Sequence, residues 1–141
     1  AITVSAWVKV ATHGNWNDFV YTHWVNNGWD LYSSATLWGF GIGSAGVNKP
    51  STIAHASSTA WTHLTGTYDG TTVRLYVNGS ASGTTTTAVA SVTLDTGYVV
   101  RISTTSEPGD YEIAKVAVYD RALSAAEVLQ NYNSQKAIFG L

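Results

Sequence analysis

The strongest constraint on the fold is a strict alternation of apolar and polar residues in several short segments. Alternation with a period of two is the pattern of a strand with one buried face. The segment Trp61–Tyr68 alternates and is followed by Asp69-Gly70, and the next alternating run ends at Asn78-Gly79. Asp-Gly and Asn-Gly favour the positive φ angles of tight hairpin turns. The sequence therefore predicts an antiparallel hairpin here, and a further strand whose apolar positions are Ile2, Val4, Ala6, Val8 and Val10.

Weaker strand patterns follow one another along the rest of the chain, separated by Gly-, Asn- and Pro-containing turns. Strands spaced by about 8–12 residues are typical of a β-sandwich or barrel. The 141 residues are the size of one domain and include no cysteine, which excludes disulfides, thiolate zinc sites and cysteine nucleophiles. The weaker strands are predicted near 17–24, 28–33, 36–42, 51–56, 82–88, 91–95, 98–103 and 110–119.

One helix is predicted near the C-terminus. Ser124 and Glu127 have the spacing of a capping box, in which each side chain bonds the backbone N–H of the other. Leu123 and Val128 stand at the positions of a hydrophobic staple. We expect a helix over about 125–132, packed on the end of the sandwich.

The charge balance excludes several classes of partner. Seven basic and nine acidic residues give a net charge of −2, and the basic residues do not cluster, so no nucleic acid is expected. No apolar run reaches the ~18–20 residues of a membrane span, so no membrane insertion is expected. A polar, uncharged and aromatic-rich composition is typical of extracellular or virion β-domains. Because the chain contains no Met and begins within a strand pattern, we expect a processed product or part of a longer chain.

Three stretches resemble one family. Ile2–Lys9 looks like its opening strand, Trp61–Gly79 like its central hairpin, and Ile113–Val128 like its closing strand and helix. Together they are similar to the concanavalin A-like lectin/glucanase superfamily, in its laminin G-like jelly-roll branch. The tail Asn131–Leu141 further resembles the ends of such domains in tailed-phage structural proteins.

The resemblance implies an all-β fold: an antiparallel two-sheet β-sandwich of jelly-roll type with one short C-terminal helix. One sheet would be concave, and rim loops would bind glycans and sometimes calcium. The family usually has a strand before the one matched by Ile2–Lys9. We therefore expect residues 1–141 to form a single domain that lacks this first strand, with an open sheet edge along Ile2–Val10 that another chain could complete.

Catalytic groups are sparse. Glucanases of this superfamily use a Glu-x-Asp-x-x-Glu strand, which places two carboxylates on one face. Asp110 and Glu112 share a strand face but no third acid follows, while Glu127 is used by the capping box and Glu107 lies in a Pro-Gly turn. There is no Gly-x-Ser-x-Gly nucleophile motif and no paired zinc-binding histidines, so the protein is predicted not to be an enzyme. The histidines are scattered, and His63 is expected to be buried; the others are His13, His23 and His55.

Calcium stays open as a cofactor, and no other cofactor is expected. Two groups of oxygen-bearing side chains could contribute ligands, although neither has EF-hand spacing and such turn residues usually bond their own backbone. The groups are Asp18 with Asn15 and Asn17, and Asp30 with Asn26 and Asn27.

A cluster of aromatic residues is the best functional lead. Sugars present flat C–H faces to aromatic rings and hydroxyls to short polar side chains, although aromatic rings also dominate β cores. Alternation predicts Phe19, Tyr21 and His23 on one face, opposite Asp18, Val20 and Thr22. Trp7 and Trp61 are expected in the core, whereas the tryptophans that adjoin Asn- and Gly-rich turns are expected to be exposed. The cluster comprises Trp16, Phe19, Tyr21, Trp24, Trp29, Tyr32, Trp38 and Phe40, and the candidate carbohydrate-binding residues are Trp16, Asp18, Trp24, Asn27, Trp29 and Asp30.

Two classes of function follow. The first is a non-catalytic lectin-like domain of a virion or other extracellular assembly, with a structural or decoration role and glycan binding. The alternative is a carbohydrate-binding module of a larger secreted protein, and a glucanase-type enzyme ranks third. The expected partners are glycans and assembly proteins at the open edge, and the expected location is extracellular or in a virion.

Overall fold

The computed structural model describes residues 1–12, 16–22, 27–44, 47–55, 59–83, 86–87, 99–103 and 110–141. Within these residues the chain forms eleven strands, one α-helix and a closing 3₁₀ turn. In chain order they are β1 (Ile2–Thr12), β2 (Trp16–Tyr21), β3 (Trp29–Ser34), β4 (Leu37–Ser44), β5 (Val47–Ala54), β6 (Thr62–Tyr68), β7 (Thr72–Val77), β8 (Ser80–Ala81), β9 (Thr86–Thr87), β10 (Arg101–Ile102), β11 (Asp110–Tyr119), α1 (Ala125–Gln135) and the 3₁₀ turn (Lys136–Phe139). The strand predicted over 91–95 lies outside the described residues.

The strands form two antiparallel sheets that face each other. Sheet 1 has the order β11-β1-β6-β7-β8, with β9 also pairing with β7. Sheet 2 has the order β10-β2-β3-β4-β5. This arrangement confirms the predicted jelly-roll sandwich with one short C-terminal helix.

The core lies between the sheets and comes from the apolar positions of the alternating patterns. All five predicted inward residues of β1 are 5% exposed or less. Each large aliphatic or aromatic side chain buried in this way stabilises the fold by roughly 1.5–3 kcal/mol. From the other strands the core includes Phe19, Leu31, Phe40, Ile42, Leu64, Tyr68, Val73 and Leu75.

The predicted hairpin is confirmed in β6 and β7. Its turn is held by Asp69, whose Oδ1 accepts hydrogen bonds from the backbone N–H groups of Thr71 and Thr72 at 2.9 and 2.8 Å. Gly70 has a φ of +107°, which a residue with a side chain rarely adopts. At the far end of β7, Asn78 and Gly79 both have positive φ and turn the chain into β8.

The expected open edge along Ile2–Val10 is wrong, because β1 lies inside sheet 1. On one side Val8 pairs with Thr62 of β6, and on the other it pairs with Ile113 of β11. The closing strand runs antiparallel to the opening one and takes up its free hydrogen-bonding groups. Among the described strands, the edges of sheet 1 are β11 and β8.

The capping box of α1 is present as predicted. The Glu127 N–H donates to Ser124 Oγ at 3.3 Å, and the Ser124 N–H donates to Glu127 Oε2 at 2.8 Å. Leu123 and Val128 are both buried and pack with Tyr76. The helix continues to Gln135, one turn beyond the predicted end.

The helix packs on the outer face of sheet 1, so the prediction that it covers the end of the sandwich is wrong. The reason is Trp7, whose ring points outward from β1 and stacks on Phe139 with a centroid distance of 4.1 Å. Trp7 is completely buried, but beneath the C-terminal segment rather than between the sheets. Together with the residues that cover it, Trp7 forms a second, smaller core on the outside of sheet 1. Trp61 is half-buried and also contacts Phe139, with a ring-centroid distance of 5.1 Å. Over the described part of the chain, no helix has the length and apolar character to span a membrane.

Candidate functional site

The outward face of sheet 2 carries the polar and aromatic residues that the core does not use. Along β3 and β4 the inward residues Leu31 and Phe40 pair with each other, and their neighbours point outward. Those outward neighbours are Asp30 and Tyr32 on β3, opposite two glycines on β4. We call this surface the outer face of sheet 2.

A β-bulge sets which residues of β2 reach this face. Asp18 pairs with Tyr32, but the next pair is Val20 with Leu31, so Phe19 is an extra residue in the strand. Phe19 and Val20 are therefore both fully buried in the core. Simple alternation placed these two on opposite faces, and that prediction is wrong because the bulge interrupts the period of two.

Trp16 is the exposed aromatic residue of the face. Its relative exposure is 52%, as predicted for a tryptophan beside an Asn-rich turn. The ring is inclined at 45° to that of Tyr32, with a centroid distance of 5.4 Å. Tyr32 is almost fully buried and so supports the exposed ring from one side.

Two glycines make room for large side chains on the face. A Cβ at Gly39 would collide with the Tyr32 ring, and a Cβ at Gly41 would collide with the side chains of both Asp30 and Asn48. The tyrosine ring and the carboxyl–amide pair therefore lie directly on the β4 backbone. Any larger residue at either position would displace them.

Asp30 is an unusual carboxyl group because it is only 5% exposed. Burial first, and then the nearby charge of Asp18, raise its pKa from 3.8 to about 8, against hydrogen bonds from the Asn48 side chain and from the backbone N–H groups of Gly41 and Asp30 that lower it. The pKa of Tyr32 is also raised, first by burial and then by the two aspartates. A pKa of about 8 favours the protonated form of Asp30 at neutral pH, near the half-buried Asp18.

The six candidate residues have different outcomes. Trp16, Asp18 and Asp30 are brought together on the outer face of sheet 2, and Asn27 is exposed with a φ of 57° in the turn before β3. Trp29 is 2% exposed and belongs to the core, so the prediction that it is exposed is wrong. It pairs with inward-facing Ile42, and the period of two sends its ring between the sheets. Trp24 lies outside the described residues.

Sequence reasoning missed Asn48 entirely, because an Asn before Lys and Pro is ordinary turn chemistry. A signal did exist in Gly39, Gly41 and Gly43, whose spacing of two puts three glycines on one face of a strand. Such a stripe indicates that large side chains from neighbouring strands cross over it.

In the first of the two proposed calcium-binding groups, the side chains of Asn17 and Asp18 point to opposite faces of the sheet. Asn17 faces the core and donates from Nδ2 to Ser33 Oγ at 3.0 Å, whereas Asp18 faces outward. Asn15 and Asn26 lie outside the described residues. No group of three or more His, Asp or Glu residues that could hold a metal occurs among the described ranges.

The other predicted chemical groups have structural partners. His63 is 1% exposed, as expected, and its Nε2 lies 2.9 Å from Ser5 Oγ. Burial lowers its pKa from 6.5 to about 4, so it is neutral at pH 7. Glu112 is exposed on β11 of sheet 1 and forms a 2.7 Å ion pair with Lys9. Glu107 and His13 are outside the described residues, as is His23.

A separate cavity of about 300 Å³ lies at one end of the sandwich. Trp38 forms part of its wall but is only 5% exposed and packs against His55 at 4.8 Å. This site offers little aromatic surface to a ligand. The remaining wall includes Ile53, Ala54, Thr62, Val77, Asn78 and Ser82.

Comparison with known proteins agrees with the two-sheet fold. A laminin G-type family model, described as the concanavalin A-like lectin/glucanases superfamily, matches residues 1–129. No curated protein sequence matches the chain.

Many solved structures share the fold. The binding domain of botulinum neurotoxin serotype D is 18% identical with a TM-score of 0.77, and the match covers 95% of this chain and 37% of that one. The binding domain of botulinum neurotoxin DC in complex with SialylT is 12% identical with a TM-score of 0.77, covering 94% and 35%. The type G receptor-binding domain is 15% identical with a TM-score of 0.74, covering 95% and 38%. The chain thus spans little more than a third of the length of these binding domains.

Proposed function

The chain belongs to the concanavalin A-like lectin/glucanases superfamily, and on this basis we propose that it is a non-catalytic glycan-binding domain whose ligand lies on the outer face of sheet 2. The observation that carries the proposal is Trp16, a half-exposed indole next to Asp18 on the same face. A sugar ring would stack on the indole and donate a hydroxyl to the carboxylate. Binding domains with the same fold, one of them in complex with SialylT, support a recognition role.

The dimensions of the face suit a saccharide. Trp16 and Asp18 are two residues apart on one strand, so their side chains leave the sheet about 7 Å from each other. That distance matches one sugar ring seated on the indole with a hydroxyl toward the carboxylate. Because Tyr32 supports the indole at 5.4 Å, the platform is ordered before the ligand arrives.

A glycosidase is the second candidate, and one observation favours it. Asp30 is an acid of raised pKa that lies near a second carboxyl group, Asp18, which is the pattern of an acid and a nucleophile in glycoside hydrolysis. The burial of Asp30 argues against this role. A general acid must come within about 2.6–3.2 Å of the leaving oxygen, and Asp30 is 5% exposed and bonded to Asn48.

The setting of the domain is also part of the proposal. We place it in an extracellular protein or a virion, as a recognition or decoration unit. The low charge of the chain supports this, as does the resemblance of its tail to phage structural proteins. Since α1 and the tail cover the outer face of sheet 1 around Trp7, the outer face of sheet 2 is the one that meets a partner.

The test is a glycan array followed by titration calorimetry on the strongest ligand. Trp16→Ala should abolish binding and leave the melting temperature nearly unchanged, while Trp16→Phe should retain part of the affinity. Val118→Ala, a half-exposed residue of β11 on sheet 1, is the matched control and should bind normally. An array without ligands, or full affinity in Trp16→Ala, would contradict the proposal. Hydrolysis of a bound glycan that is lost in both Asp18→Asn and Asp30→Asn would establish the glycosidase instead.

A further inference from the structure

Two buried oxygen atoms on the outer face of sheet 2 are the starting point. Asp30 Oδ1 and Asn48 Oδ1 are both shielded from solvent, and neither has a hydrogen-bond partner among the residues the structure describes. Both lie over the Cα of Gly41, where a Cβ of any other residue would stand. A buried acceptor without a partner costs about 1–3 kcal/mol. Two such acceptors at one place indicate a hydrogen between them.

The remaining contacts of the pair show which group supplies that hydrogen. The Asp30 carboxyl accepts a hydrogen bond from the Asn48 side chain and further bonds from the backbone N–H groups of Gly41 and Asp30. Because Oδ1 has no partner, we assign the Asn48 bond to Oδ2. A carboxylic acid and a primary amide are complementary, since the acid O–H can donate to the amide oxygen while the amide N–H donates to the other acid oxygen. An ionised carboxylate could make only one of these two bonds.

We propose that Asp30 carries its proton on Oδ1 and donates it to Asn48 Oδ1, and that this closed acid–amide pair positions the glycan-binding side chains of the outer face. The pair joins β3 to β5, which are not neighbours in the sheet, by crossing the glycine of β4 between them. The positioning role rests on the proposed function, whereas the proton-sharing pair does not.

The surroundings favour the protonated form. Asp30 is 5% exposed, and the ion pairs formed by described residues do not include it. Burial and the charge of Asp18 raise the pKa of Asp30, and they outweigh the hydrogen bonds from Asn48, from the Gly41 N–H and from its own N–H that lower it. The titratable and charged groups on the adjoining described strands are Asp18 and Tyr21 on β2, Tyr32 on β3, Lys49 beside Asn48 on β5, and Arg101 on β10, one strand beyond Tyr21.

Loss of the proton would open the pair. The acceptor oxygens Asp30 Oδ1 and Asn48 Oδ1 would then face each other with no hydrogen between them. A second negative charge would also lie beside Asp18. The substitution Asp30→Asn keeps the pair at every pH, because its amide N–H takes the place of the acid O–H. This variant is therefore a matched control that has the same shape and no titration.

The direct test is a carbon-13 NMR titration of the aspartate carboxyl groups of the whole chain between pH 4 and 10. Asp30, assigned by its loss in Asp30→Asn, should titrate near pH 8. Asp69, which is held by Arg74 at 2.7 Å, should remain ionised throughout and serves as an internal reference. A companion test compares unfolding free energies at pH 6, where Asp30→Asn should match the wild type and Asp30→Ala should be less stable. A carboxyl that titrates below pH 5, or an Asp30→Asn variant as unstable as Asp30→Ala, would overturn the pair.

The positioning role has its own readout in the pH profile of glycan affinity. Wild-type affinity should fall about tenfold per pH unit above 8, because only the protonated form keeps the pair, while Asp30→Asn should show a flat profile. If Asp30 titrates near 8 and affinity does not follow, the positioning role is wrong and the pair stands. If no glycan binds at any pH, the positioning role fails with the proposed function, and the NMR titration still decides the pair.

Discussion

Trp7 and Gln135 are 128 positions apart in the chain and are joined by a 2.9 Å hydrogen bond from the indole Nε1 to the amide Oε1. This bond fastens the end of α1 to the middle of sheet 1, at the first strand of the domain. The same indole stacks on Tyr132 and Phe139, so the C-terminal segment forms a second core on the outside of the sandwich. The two outer faces of the sandwich therefore differ: one is used for the chain's own packing, and the other is the face that we propose for recognition.

Phe139→Ala should destabilise the domain by less than the roughly 3–5 kcal/mol of a fully buried phenylalanine, because the ring is only half-buried. The loss comes from its stacking on Trp7 and its tilted contact with Trp61. Urea unfolding followed by tryptophan fluorescence measures it. The neighbouring Ile138 is 69% exposed, and Ile138→Ala should change stability by less than about 0.5 kcal/mol. Equal effects of the two substitutions would show that the second core contributes nothing.

The two tryptophans that begin β2 and β3, Trp16 and Trp29, should differ in their response to truncation. Trp29→Ala removes a core side chain that is 2% exposed and should cost about 3–5 kcal/mol of unfolding free energy. Trp16→Ala removes a ring that is 52% exposed and should cost less than about 1 kcal/mol. Thermal unfolding of the two variants measures this difference in stability. A larger loss from Trp16→Ala would mean that its ring is structural.

The buried His63 should make the protein less stable in mild acid. Its pKa is about 4 when folded against 6.5 for a free histidine, so the unfolded chain binds one proton more between these values and stability falls as the pH drops from 6.5 to 4. Asp30 has the opposite sign: its raised pKa makes stability fall as the pH rises from 3.8 to 8. Between pH 4 and 6.5 the two effects offset each other.

Variants separate these effects in denaturant titrations at a series of pH values. In Asp30→Asn only the effect of His63 remains. The unfolding free energy should therefore rise from pH 4 to 6.5 and show no further change from His63 at higher pH. In His63→Gln only the effect of Asp30 remains, and the unfolding free energy should fall steadily as the pH rises to 8. Parallel pH profiles for the two variants would contradict both assignments.

Gly66→Ala should destabilise the core by overpacking. Gly66 lies on β6 between the sheets, where a Cβ would collide with the Phe40 ring. The cost should be about 1–3 kcal/mol. In the Phe40→Leu background the same substitution should cost less, because the smaller side chain leaves room for the methyl group. Additive effects in a double-mutant cycle of unfolding free energies would show that the ring does not set the constraint.

Local patterns predicted most of the architecture. Alternation identified β1, β6 and β7, and the capping box located the first turn of α1, because each of these signals depends on residues close in sequence. The position of β11 beside β1 depends on contacts more than 100 residues apart, and for that reason the expected open edge was wrong.

The candidate site was predictable only in part. Trp16 and Asp18 were identified from their residue types and neighbours. The bulge at Phe19 could not be read from the sequence, since a bulge inserts one residue without a composition of its own. Asn48 contributes only because Gly41 lets its side chain reach Asp30, a relationship between three strands that no local pattern contains.

The central claim is that glycans are recognised on the outer face of sheet 2. It is tested most directly by two-dimensional NMR of the labelled protein during titration with the strongest array ligand. The account predicts that the indole N–H of Trp16 and the amides of Asp18, Tyr32 and Asn48 shift together with saturation. Shifts confined to the cavity beside Trp38 or to the Trp7 side of sheet 1 would contradict it.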